Sequence, residues 1–238
     1  TVEASAWLDK ATELTFVDPV KKGTIDVLRA ALASETDELE PARDKCARIR
    51  DEARARGHLS LAGLAASRAA WCDLQLRYFA TAREGFEAAR LLSRSLGSWE
   101  TYARETTRIG ESFLWQGRAE AAVPVLEEAL RLARDADDPI AVAEAMVHLG
   151  AAIALSRDPA EGVSLCERGV ALAREVAMSE ALAASTLHLL RIALVCGDLA
   201  RAKVLAERCR TEAPAHRTPL YKFEAKALLS LADDRLSL

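Results

Sequence analysis

Helix breakers are scarce in this chain, which has only 11 glycines and 7 prolines in 238 residues. Strong helix formers (Ala, Leu, Arg and Glu) dominate instead, and they argue for an all-α protein. A basic balance is also lacking. The formal net charge is -4, whereas nucleic-acid-binding domains are usually basic, so no direct contact with nucleic acid is expected. No unbroken apolar run approaches the ~18 residues of a membrane span, and no charged start leads into a signal-like stretch, so no membrane partner is expected. The five cysteines, Cys46, Cys72, Cys166, Cys196 and Cys209, form no C-x-x-C pair. They fall among helical apolar positions and read as buried free thiols, which fits a reducing cytoplasmic setting. No glycine-rich phosphate loop and no H-E-x-x-H occurs, and the four histidines are far apart. The sequence therefore assigns no cofactor, no metal and no catalytic residue.

What is present is a repeat. Gly117-Arg118-Ala119-Glu120-Ala121-Ala122 and Gly197-Asp198-Leu199-Ala200-Arg201-Ala202 are variants of one phrase. Arg157-Asp158-Pro159-Ala160-Glu161-Gly162 lies midway between them. Arg77-Tyr78-Phe79-Ala80-Thr81-Ala82 is a degenerate copy, as far before the first as the midway copy is after it. A fixed period of about 40 residues implies stacked helix pairs, because one pair cannot bury its apolar face alone. Five residues after each register point come Ala82, Ala122, Gly162 and Ala202, and twelve after come Ala89, Ala129, Gly169 and Cys209. Eight before stand Ala69, Ile109, Leu149 and Leu189, and three before stand Leu74, Leu114, Ala154 and Leu194. Small residues at fixed places let two helices approach, and large ones fill the gaps. A weaker first repeat has its register point at Asp37, with Ala42 and Ile49 at the small positions.

Each repeat reads as a first helix, a turn at the register point and a second helix. First helices are expected at 20–35, 58–76, 99–116, 139–156 and 180–196, and second helices at 40–56, 79–96, 118–135, 159–176 and 198–213. A helix at 2–15 precedes them and one at 219–236 follows, in a single repeat domain over 1–238 with repeats at 19–57, 58–97, 98–137, 138–178 and 179–217. Asp138-Pro139 and Thr218-Pro219 read as N-caps followed by proline, Ser98 and Ser179 as further caps, and Gly57 and Gly97 as helix ends. Pro41, Pro124 and Pro159 are expected in first turns, where a missing N–H is tolerated. The chain begins at Thr1 without Met and stops in a helical pattern, so a segment of a longer or processed protein is expected.

Trp115-Gln116-Gly117-Arg118-Ala119-Glu120-Ala121-Ala122 resembles the tetratricopeptide repeat family. The turn glycine and the small residue five later match the start of that family's second helix. Ile109-Gly110 and Leu149-Gly150 match its Leu-Gly pair, Phe113 its aromatic and Ala129 its second small position. The resemblance covers about residues 20–236, is specific in the third to fifth repeats and loose in the first two. The period exceeds the family's usual length of about 34. Repeats this long look like the arms of large ATP-binding regulators of the LuxR family, and of bacterial kinase and cyclase sensors. The resemblance implies a right-handed superhelical solenoid of antiparallel helix pairs with a concave groove lined by first helices.

Arg68, Arg108, His148 and His188 share one register, nine before the turn, and stacking of first helices would align them as a column. In tetratricopeptide proteins this column lies on the concave face, where basic residues can hold a carboxylate. Arg104 lies one turn from Arg108, and Arg191 lies near His188. Two readings stand: these residues hold a ligand, or they pair with Glu105, Glu111, Glu144 and solvent. Trp71, Glu111 and Arg191 share the next register, and Trp115 is four residues beyond Glu111. The tryptophans either anchor a peptide in the groove or plug gaps between helices. Trp7 and Trp99 are expected to pack. The carboxylates of Asp135, Asp137 and Asp138, and of Asp233 and Asp234, read as solvated or capping.

The expected function is noncovalent binding of a protein, peptide or small ligand, by the sensor or scaffold arm of a larger bacterial regulator. A peptide-sensing transcription regulator is a narrower form, with its DNA-binding domain elsewhere. The alternatives are a structural oligomerisation arm working through helix 219–236, and an α-solenoid enzyme. That last helix is expected to present Leu220, Phe223, Ala227, Leu228 and Leu231 as an apolar face.

Overall fold

The computed structural model of the protein describes residues 2–14, 18–33, 38–212 and 219–236. Among the described residues there are twelve helices and no strand. They are α1 (Val2–Leu14), α2 (Pro19–Ala33), α3 (Leu39–Ala55), α4 (Leu59–Gln75), α5 (Phe79–Ser95), α6 (Trp99–Trp115), α7 (Ala119–Asp135), α8 (Pro139–Ser156), α9 (Pro159–Glu175), α10 (Ser179–Cys196), α11 (Leu199–Glu212) and α12 (Pro219–Leu236).

The spacing of the turns explains the helix lengths. Left-handed residues occur at Gly57, Arg77, Gly97, Gly117, Asp137, Ala177 and Gly197, with φ between 52° and 79°. They recur evenly, two to each sequence period, and among the described register points only Arg157 departs, at φ -142°. Each such residue ends one helix, and the next begins two residues later. Aspartate starts several helices: Asp138 accepts from the N–H groups of Ile140 and Ala141, and Asp158 from those of Ala160 and Glu161. Asp18, before Pro19, does the same for Val20 and Lys21. Ser98 instead donates its hydroxyl to Thr101 Oγ1. Thr218, Asp37 and the side chain of Ser179 lie outside the described residues.

The register is seen in the burial. Ala82, Ala122, Ala129 and Ala202 are fully buried, as are the large residues Leu74, Leu114 and Leu194 to within 2%. The closest approach is between α8 and α9. A Cβ on Gly150 would lie 2.5 Å from the backbone nitrogen of Cys166, and one on Gly162 would collide with Ala154. Two backbones can meet this closely only where both helices carry glycine.

The helices form two compact units, one through Glu105 and one from Thr106. In the first, α2 packs on α3, α3 on α4 and α4 on α5, around Val27, Leu39, Cys46, Leu61, Ala65 and Cys72. In the second, α7 packs on α8, α8 on α9, α10 on α11 and α11 on α12. First helices also stack on one another there, α8 on α10 and α10 on α12. The chain is an all-α helical repeat protein.

Several expectations are corrected. Pro124 is the sixth residue of α7, past the first turn, so its missing N–H removes an interior helix bond. Trp7 and Trp99 are 70% and 53% exposed instead of packed. Cys196 is exposed, while the other four cysteines are buried, and burial pushes the thiols of Cys46 and Cys72 up to about 11 and about 12. In α12, Leu220 and Leu228 are buried and only Phe223, Ala227 and Leu231 of the expected face remain exposed. By length and mean hydropathy α8 could cross a membrane, which an unbroken-run criterion overlooks, yet 72% of it is buried within the protein, as in a core helix.

Candidate functional site

The first helices α6, α8, α10 and α12 begin at Trp99, Pro139, Ser179 and Pro219, each one repeat after the last. A residue one repeat further along therefore sits on the same face of the next first helix, and charged side chains of neighbouring helices meet. From Thr106 onward these faces converge on Glu111, whose side chain is fully buried.

Glu111 receives three hydrogen bonds. Arg108 Nη1 donates to Oε2 at 2.9 Å, Trp115 Nε1 to Oε1 at 2.9 Å and the Tyr221 hydroxyl to Oε1 at 3.1 Å. Burial alone would raise its pKa, but Arg108 foremost, then His148 and the Trp115 bond, holds it below the ordinary value. The same guanidinium reaches a second buried carboxylate, with Arg108 Nη2 3.0 Å from Glu144 Oε1. One cation thus bridges two acids, a charge-assisted arrangement suited to the planar fork of arginine.

Next to this bridge His148 Nδ1 lies 3.1 Å from His188 Nε2, both rings buried. Nδ1 of His188 has no hydrogen-bond partner among the described residues. Burial foremost, with His148 and Arg191, keeps the His188 pKa well below its ordinary value, so the ring is neutral. Trp115 stacks on His188 with centroids 4.9 Å apart, and Tyr221 lies 5.4 Å from Trp115. The Arg191 guanidinium lies 5.1 Å from the Trp115 centroid and bonds Glu224 Oε2 at 2.7 Å.

Glu111, Glu144 and His148 each bring one ligand-type atom within 4.8 Å of the other two. Arg108 already lies on both carboxylates, so their charge is met by a guanidinium. The mutual pairing is what the arrangement does chemically: it holds four helices together through buried, satisfied charges.

The expected column thus has two different environments. In the first unit Arg68 and Trp71 are partly buried, three residues apart on α4, and Arg104 is exposed on α6. In the second unit Arg108, Glu111, Trp115, His148, His188 and Arg191 come together and are closed over. The expected open positive stripe does not form there, because Arg108 meets Glu111 and Glu144, Arg191 meets Glu224, and His188 is uncharged. Trp115 is 4% exposed and fills space between helices instead of standing in an open groove. Tyr221 and Glu224 were not foreseen. Glu224 stands two repeats after Glu144 in the same register, which was a usable signal, whereas nothing in the repeat marks Tyr221.

No family model matches the chain, and no curated protein matches it. Solved structures do. A crystal structure of BtubC (BKLC) from P. vanneervenii is similar at TM-score 0.63 and 19% identity, over 90% of this chain and 89% of that one. A Rap protein complexed with Competence and Sporulation Factor gives TM-score 0.67 and 13% identity, over 91% of this chain and 64% of that one. Aspartyl phosphate phosphatase F from Bacillus subtilis gives TM-score 0.68 and 13% identity, over 99% of this chain and 69% of that one. At these identities the likeness is one of fold: a helical repeat architecture shared with Rap structures.

Proposed function

We propose that the protein is a noncovalent binding module for a protein or peptide segment, and that it serves as the sensor or scaffold arm of a larger bacterial regulatory protein in the cytoplasm. The observation that carries this reading is the shared fold with a Rap protein solved in complex with a separate factor. The first-unit member of the register column, with its neighbours, supports a location. Arg68 and Trp71 present a cation and an aromatic ring from one face of α4, and Arg104 presents a second cation on α6. These suit a segment with a carboxylate beside an apolar side chain. The second-unit cluster is read as the fixed support of the module, since its charges neutralise one another. For the same reason no catalytic role is proposed for it.

The test is calorimetry of an acidic peptide library against the parent and an Arg68→Ala/Arg104→Ala variant. Binding should weaken at least tenfold in the variant and should weaken with added salt. Equal affinity for parent and variant would refute this location.

A further inference from the structure

Leu64, Arg68 and Trp71 stand at successive turns of one stripe along α4. Leu64 is 39% exposed, and Arg68 and Trp71 are partly buried. Arg68 differs from the other partly buried arginines around it in the fold. Arg43, Arg50, Arg90, Arg108 and Arg191 each pair with a carboxylate. Arg68 has no hydrogen bond and no ion pair among the described residues. Its charge reaches the thiols of Cys46 and Cys72, but burial pushes these up to about 11 and about 12, so they stay protonated and cannot neutralise it. A partly desolvated cation without a counter-charge gains most from an anion that arrives from outside the chain.

The neighbours of that cation decide which anion suits it. Leu64 lies one turn before Arg68 and Trp71 one turn after, so a bare anion would leave apolar surface wet on both sides. From Leu64 to Arg68 the helix rises about 6 Å. Two residues of extended chain span ~7 Å and point their side chains the same way. A short helix could also carry matching groups, but isolated short helices are marginal in water. We propose that this stripe sets the specificity of the binding site, and that it takes an extended peptide segment with one acidic residue flanked, two positions away on each side, by apolar side chains. The acid meets Arg68, one apolar side chain covers Leu64, and the other lies against the Trp71 ring. This inference rests on the proposed binding role of Arg68 and adds Leu64 and a residue spacing to it.

The test is calorimetry of the full 238-residue chain with three blocked synthetic peptides of equal length and charge. The first carries one glutamate with a leucine two positions away on each side. The second has serine in place of both leucines, and the third moves the leucines to helical spacing, four before the glutamate and three after it. The parent should bind the first at least tenfold tighter than either of the others. Leu64→Ser, with folding confirmed by circular dichroism, should lower affinity for the first peptide at least threefold and leave the second unchanged. Arg68→Ala should weaken the first at least tenfold. Equal binding of the three peptides, tighter binding of the third, or indifference to Leu64→Ser would overturn this inference, while a loss in Arg68→Ala would still uphold the broader reading. Indifference to Arg68→Ala would refute both. A parent that binds none of the peptides, or that self-associates in sedimentation and becomes monomeric in Leu64→Ser, would also overturn the proposal.

Discussion

Tyr221 and Glu111 are 110 residues apart in sequence, yet the tyrosine hydroxyl donates to the buried carboxylate at 3.1 Å. Through this bond α12 is tied to α6, past the two first helices that separate them in the chain. Glu111→Ala would take one partner each from Arg108, the Trp115 N–H and the Tyr221 hydroxyl and leave Arg108 only Glu144 of its two carboxylates, and should cost about 3–5 kcal/mol in urea unfolding. Tyr221→Phe removes one bond to a charged group and should cost about 1.5–3 kcal/mol. Values near zero for both would contradict the role of the cluster.

Acid should loosen this cluster before it loosens the rest. The folded His188 pKa lies well below its unfolded value, so the unfolded chain binds more protons as pH falls below about 6.5. Stability from His188 is present above that pH and is lost as pH falls towards the folded pKa. Glu111 is also depressed, and its contribution is lost at lower pH still, below about 4.3. Unfolding free energy measured from pH 7 to pH 5 should fall in the parent. It should fall less in His188→Phe, which keeps a ring against Trp115 and cannot titrate. Identical slopes would rule out His188 as the source.

The two kinds of helical glycine should respond with opposite signs. Gly150→Ala drives a Cβ into the α9 backbone, 2.5 Å from the Cys166 nitrogen, and should cost about 1–3 kcal/mol or more. Gly63→Ala meets only Leu92 at 3.6 Å and should stabilise by about 0.5–1 kcal/mol through helix propensity. Ala122→Leu, at a fully buried register position, should also cost about 1–3 kcal/mol. Thermal melts of the three variants check the register.

Ala177 occupies the left-handed region at φ 54°, where other turns of the series carry glycine. Ala177→Gly should relieve about 1 kcal/mol of strain, partly offset by backbone entropy, and raise Tm by a few degrees. A lowered Tm would show that the turn is not strained.

The repeat architecture was legible because it is written in small residues at fixed intervals, from Ala82 and Ala122 to Gly162 and Ala202. The turns between repeats were legible as well, through Gly57, Gly97 and Asp138-Pro139, but the left-handed backbone at Arg77, Asp137 and Ala177 was not, because no glycine marks it. The residues of the site were legible as register positions, while their environment was not. Whether Arg108 faces a ligand or Glu144 depends on how tightly the first helices converge, and curvature leaves no mark on a single repeat. Tyr221 closes the cluster from a helix whose register predecessors offer no such side chain: Ala181 stands one repeat earlier and Ala141 two.

In the proposed reading Arg68, with Trp71 and Arg104 beside it, takes part in ligand binding, whereas Arg108 of the same register is held by Glu111 and Glu144. Calorimetric titration of a peptide selected from the acidic library, on two variants of known Tm, tests this most directly. Arg68→Ala/Arg104→Ala should lose at least tenfold in affinity with Tm nearly unchanged, and Arg108→Lys should lower Tm with affinity retained. Lost affinity in Arg108→Lys at an unchanged Tm, with Arg68→Ala/Arg104→Ala binding as the parent does, would contradict it.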